Sequence, residues 1–174
     1  MCTKRLWAFL VLVLASFAVL SPNEGDSADI VFSLNSQSSI SFTSSQSSFQ
    51  LTLPNYQTGT VSPAVTVEYQ VMANDVGRLE DLVLARLLTA LDGVSLESRM
   101  DQFSKTSGTA HLVSNASGYT TLEAQDVGLA DKVIDEGDGR IIDGSLTVSY
   151  RARAVRALEA GVHETTVIVS FADN

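Results

Sequence analysis

Beyond residue 28, apolar and polar residues alternate along most of the chain, and a period of two marks strands with one buried face. Ile30, Phe32 and Leu34 alternate, then Ile40 and Phe42, then Phe49, Leu51 and Leu53. The stretch 35–48 is rich in Ser, Gln and Thr, yet the alternation continues through it. It therefore reads as short strands joined by polar turns rather than as a linker. Turns are expected at Pro54-Asn55 and across 58–63. Val65 to Met72 is a strong strand with Val65, Val67, Tyr69 and Val71 on one face, ended by Asn74-Asp75-Val76-Gly77.

Leu79 to Leu91 fits two patterns. Leu84, Leu87, Leu88 and Leu91 share a face at helical spacing, whereas Leu82, Leu84, Arg86 and Leu88 share one at strand spacing. The strand reading is preferred because strands flank it. Val94, Leu96 and Met100 resume the alternation after Asp92-Gly93, a short strand is expected at Ala110 to Val113, and Leu122 to Asp131 fits a strand edge or a helical turn. The run Asp135-Glu136-Gly137-Asp138-Gly139 is a turn signal. Two clear strands close the chain, Gly144 to Val155 and His163 to Phe171. Their separation by Ala160-Gly161 predicts a hairpin. Short strands, frequent turns and no long helix predict an all-β fold, a single immunoglobulin-like β-sandwich over residues 29–174.

The N-terminus departs from this pattern. Lys4 and Arg5 precede an uncharged apolar run from Leu6 to Leu20. A charged start followed by such a run reads as a secretory signal, with residues 1–28 serving as signal peptide and spacer. The run falls short of the roughly 20 apolar residues of a membrane span, so the mature form is expected to carry none. The expected location is secreted, periplasmic or on the cell surface. The sole cysteine, Cys2, lies ahead of the run, which leaves the mature chain without thiol chemistry. The formal charge of −9 argues against nucleic acid and anionic lipid as partners, because both require a basic stripe.

The last two strands resemble secreted bacterial immunoglobulin-like sandwiches of the pilin and spore coat protein U kind. Leu146 to Ala152, the turn Ala160-Gly161 and the terminal strand Glu164 to Phe171 carry the likeness, and Val65 to Asn74 looks like a mid-domain strand of that group. Many such subunits carry a disulfide, which this chain cannot form. The resemblance implies assembly into a surface filament or coat, with self-association or other surface proteins as partners. In such an assembly Asp29 to Leu34 is placed to be donated, with Ile30, Phe32 and Leu34 entering a neighbour's groove. The alternative is an ordinary first strand of its own sandwich.

Candidate chemistry is sparse. His111 and His163 have no partner at metal-ligand spacing, and the serines lie in no nucleophile motif. No cofactor is expected, with one candidate exception. Asp135, Asp138 and Asp143 flank Gly137 and Gly139, and calcium favours oxygen ligands on a tightly turning loop. The stretch lacks the spacing of an EF-hand, so a plain solvated turn is the simpler reading. Tyr56 and Tyr119 lie in loops and are the candidate exposed contacts, while Tyr69 and Tyr150 fall within strand patterns. Asn115-Ala116-Ser117 fits the N-glycosylation pattern. The expected function is a structural subunit of a surface filament, coat or extracellular matrix. The alternative is a glycan- or protein-binding module. No enzyme is expected, since no catalytic constellation assembles from these residues.

Overall fold

Alternating side chains leave each strand with one apolar face, and two sheets bury those faces against each other. The structure, a computed structural model, describes residues 28–38 and 41–172. Eleven strands run in chain order: β1 (Ala28–Ser38), β2 (Ser41–Ser44), β3 (Ser48–Leu53), β4 (Val65–Ala73), β5 (Val83–Leu87), β6 (Val94–Gly108), β7 (Ala110–Ser114), β8 (Thr120–Thr121), β9 (Val127–Ile134), β10 (Ile142–Ala154) and β11 (Val162–Phe171). The first sheet has the order β3-β1-β11-β5-β9-β7 and the second β2-β4-β10-β6-β8. The protein is an all-β, two-sheet sandwich. No helix among the described residues is long and apolar enough to cross a membrane. The export signal expected over residues 1–28 falls, up to residue 27, outside the described residues.

The expected core positions line the interface. Val67, Tyr69, Val71, Leu146, Val148, Val167, Val169 and Phe171 are all buried. Aromatic rings stack within and between the sheets: Phe32 on Phe49 in the first sheet and Phe42 on Tyr69 in the second, both at a centroid separation of 5.2 Å, and Phe49 on Tyr150 across the core at 4.9 Å. The Tyr69 and Tyr150 hydroxyls meet in the core at 2.8 Å. Burial pushes both phenols well above their ordinary ionisation range, so each stays neutral.

Two expectations about neighbours fail. The last two strands do not form a hairpin: β10 pairs with β4 and β6 in the second sheet, and β11 with β1 and β5 in the first. The segment through Ala160-Gly161 crosses between sheets, and the two apolar faces meet across the core. The turn after β9 likewise joins strands of different sheets. In the ambiguous leucine-rich stretch, a strand forms at Val83–Leu87, but it buries Val83, Ala85 and Leu87. Leu84 and Arg86 face the other way and Leu88 is exposed, because β5 takes its facing from β11 and β9 on either side. Leu122 precedes a true strand, β9, rather than a helical turn.

A glycine shapes the corner between β6 and β7. Gly108 has a φ of +101°, and a Cβ there would lie 2.5 Å from the Ile141 carbonyl oxygen. Only glycine tolerates both conditions.

The tyrosine pair gives a graded test. The Tyr69 hydroxyl is also hydrogen-bonded by Ser44, whereas that of Tyr150 has Tyr69 as its side-chain partner. Tyr69→Phe strands a buried hydroxyl and should cost about 1–3 kcal/mol in chemical denaturation. Tyr150→Phe should cost less, and the double variant should lose less than the sum. Equal, additive losses would show that the two hydroxyls do not depend on each other.

Candidate functional site

The outward positions of β6 and β10 lie side by side, and they carry charge. Alternation turns Leu96, Ser98 and Met100 of β6 inward and Glu97 and Arg99 outward. On β10, Tyr150, Ala152 and Ala154 face in, and Ser149, Arg151 and Arg153 face out. Antiparallel register sets Arg151 opposite Glu97 and Ser149 opposite Arg99. β8 then pairs with Glu97 and Ser98, bringing the preceding Tyr119 over the same face.

These residues form one network. Arg151 Nε and Arg153 Nε each donate to a different oxygen of Glu97, both at 2.6 Å. Arg99 donates through Nε and Nη2 to Asp101 Oδ1 at 2.9 and 2.7 Å. Ser149 donates to the other Asp101 oxygen and in turn accepts from Thr66 of β4 at 3.0 Å. The Tyr119 ring lies under two guanidiniums, with the Arg151 carbon 3.8 Å and the Arg99 carbon 4.8 Å from its centroid. Both separations are within cation–π range. Glu97 is nearly buried: its burial pushes the carboxyl pKa up, but the hydrogen bonds and charges of Arg153 and Arg151 outweigh this and hold it below its ordinary value.

Of the residues singled out by sequence, Tyr119 joins this site. Tyr56 is half-buried elsewhere, and its carbonyl accepts from the Leu158 N–H at 3.0 Å. Asp135 accepts from Lys105 Nζ at 2.6 Å and pairs with His111 Nδ1 at 2.7 Å; the Lys105 hydrogen bond first, then His111, holds its carboxyl below the usual range. Asp138 pairs with Arg140 at 3.0 Å, and Asp143 accepts from Ser107 Oγ at 2.6 Å. Each of the three is thus committed to a different partner. Gly137 and Gly139 make the turn, with φ of +59° and +63°. Among the described residues, no group of three or more His, Cys, Asp or Glu side chains is arranged to hold a metal ion. Asn115 of the glycosylation pattern donates to Asp81 Oδ1 at 3.2 Å.

The proposed assembly strand lies inside the first sheet. β1 runs parallel to β11 and antiparallel to β3: Ile30 is opposite His163 and Leu51, Phe32 opposite Thr165 and Phe49, and Leu34 opposite Val167. Phe32 is fully buried.

Sequence reasoning missed Glu97, Arg99, Arg151 and Arg153. The signal was present as charges at alternate positions, Glu97-Ser98-Arg99 and Arg151-Ala152-Arg153. What the sequence does not show is that the two runs are neighbours.

Fold and site together define a β-sandwich module with a charged, aromatic outer sheet face. No protein-family model matches the sequence, and no curated protein matches it. Among solved structures, the chain is similar to a non-cellulosomal cohesin from the hyperthermophilic archaeon Archaeoglobus fulgidus. That likeness has 10% identity over 85% of this chain and 93% of that chain, with a TM-score of 0.22.

The Glu97 network makes stability depend on acid. A carboxylate held below its ordinary value contributes stability above its unfolded pKa, near 4.5, and loses it as pH falls through the lower folded value. Glu97→Gln leaves Arg151 and Arg153 without their counter-charge and should cost about 1–3 kcal/mol at pH 7. Denaturation curves of the two proteins should converge as pH drops below 4.5. A gap that stays constant with pH would mean that charge is not what Glu97 supplies.

Proposed function

We propose that this chain is an exported, non-catalytic β-sandwich module that binds another protein through the outer face of its second sheet. The observation that carries this is Tyr119, half-buried beneath Arg99 and Arg151 on an open sheet face. Tyrosine and arginine dominate the energetic centres of protein interfaces, because each buries a large rigid surface and keeps a polar tip for directed bonds. Here the network holds both arginines in place, so little side-chain entropy remains to be lost on binding. Three guanidiniums against two carboxylates also leave this patch cationic on a chain of formal charge −9, which favours a partner presenting carboxylates. A surface coat or matrix is the setting we assign, reached by export through the apolar run at 6–20. Assembly by donation of residues 29–34 has less in its favour, since β1 would have to leave ladders on both sides.

The reading is tested with a photo-crosslinking amino acid at Thr121, beside Tyr119, in the producing cell. It should trap one partner protein, and trapping should fall at least tenfold when Tyr119→Ala and Arg99→Ala are added. The same variant should keep the cooperative thermal unfolding of the parent chain, which shows that it remains folded. Equal trapping with and without the two substitutions would remove the site.

A further inference from the structure

Enzymes that attach glycans to asparagine act at Asn-X-Ser/Thr, where X is not proline. In this chain one asparagine, Asn115, opens such a triplet: Asn115-Ala116-Ser117. A glycan is bulky and hydrophilic, so it is accommodated only where its attachment point faces solvent. The fold meets that condition. The triplet lies in the turn between β7 and β8, where the chain passes from the last strand of the first sheet to the last strand of the second. Asn115 and Ser117 are both exposed. The turn is braced rather than loose: Ser114 Oγ donates to the Ala116 carbonyl at 2.8 Å, and the Asn115 backbone N–H donates to the Leu129 carbonyl at 3.3 Å.

We infer that Asn115 carries an N-linked glycan in the exported protein. The inference rests on the export proposed above and is independent of partner binding at Tyr119. The donor is a glycan held through its anomeric carbon on a lipid pyrophosphate, and a transferase of the export route supplies the catalysis. Asn115 Nδ2 attacks the anomeric carbon. The carbon–nitrogen bond forms, the carbon–oxygen bond to pyrophosphate breaks, the lipid pyrophosphate leaves, and one Nδ2 proton passes to the transferase. The product keeps one N–H, because an asparagine amide starts with two. The folded site has a use for the one that stays: Asn115 Nδ2 donates to Asp81 Oδ1 at 3.2 Å. Gly128 makes room for that bond, since a Cβ there would lie 1.8 Å from the Asp81 oxygen and 2.6 Å from Nδ2. One hydrogen thus holds the amide to the sandwich, and the glycan takes the place of the other.

The test uses the full chain made in its producing cell. Trypsin cuts after Lys105 and Lys132, so residues 106–132 form one peptide that holds Asn115. Mass spectrometry of this peptide from the exported protein should show most of it heavier by at least one sugar residue, with the added mass on Asn115. Asn115→Gln should abolish the added mass. So should Ser117→Ala, which leaves the Asn115 amide and its bond to Asp81 in place and so guards against a folding defect in the first variant. Ser117→Thr, which restores a hydroxyl at the third position of the triplet, should keep the glycan. An unmodified peptide from exported protein, or an added mass that survives Ser117→Ala, would overturn the inference and leave export standing. A chain found only inside the cell with residues 1–20 intact would instead overturn the export reading, and this inference with it.

Discussion

β11 enters the middle of the first sheet, parallel to β1 on one side and antiparallel to β5 on the other. Without it, β3 and β1 have no ladder to β5, β9 and β7. Val167, Val169 and Phe171 of this same strand supply part of the core, and Phe171 lies against Phe42 of the opposite sheet. The pairing joins the first described strand to the last, so closing the sheet means ordering nearly the whole chain between them. Contacts of such sequence separation reward folding only after the loop entropy has been spent. The first sheet is therefore complete only when β11 docks between β1 and β5.

The interior is not wholly apolar, and its polar groups show how that is managed. Tyr69 and Tyr150 satisfy each other in the centre. Lys132, nearly buried, extends its ammonium to the Val76 carbonyl at 2.6 Å. Thr165 returns its hydroxyl to the Thr89 carbonyl. Among the described residues two buried side-chain polar atoms have no hydrogen-bond partner, His163 Nε2 and the hydroxyl of Ser98. Ser98 faces inward from the strand that holds Glu97 and Arg99 outward, so the strand that builds the charged face also places this uncompensated hydroxyl inside.

Charge pairing and aromatic packing meet at the outer face of the second sheet. Glu97 anchors Arg151 and Arg153, Asp101 anchors Arg99, and the two anchored guanidiniums of Arg99 and Arg151 hold Tyr119. Two adjacent strands supply the charges, and a loop supplies the ring. An aromatic residue in a loop gains a fixed orientation only through such a framework, and a preorganised surface binds at lower entropic cost.

The strands themselves were legible in the sequence, because alternation is a local consequence of the pleat. Val67, Tyr69, Val71, Leu146, Val148, Val167 and Val169 announce their buried faces through their own spacing. The all-β class and the loop position of Tyr119 follow from equally local signals. Pairing is not local. A strand with one apolar face packs equally well beside a hairpin partner or across the core from it, so Ala160-Gly161 could not reveal that β10 and β11 belong to different sheets. Nor could spacing tell whether Leu84 or Ala85 faces inward, since β5 takes its facing from β11 and β9. The meeting of Glu97 with Arg151 and Arg153, 54 and 56 residues away, depends on register between strands. Register is settled by how two sheets fill one core, and only the folded chain contains that information.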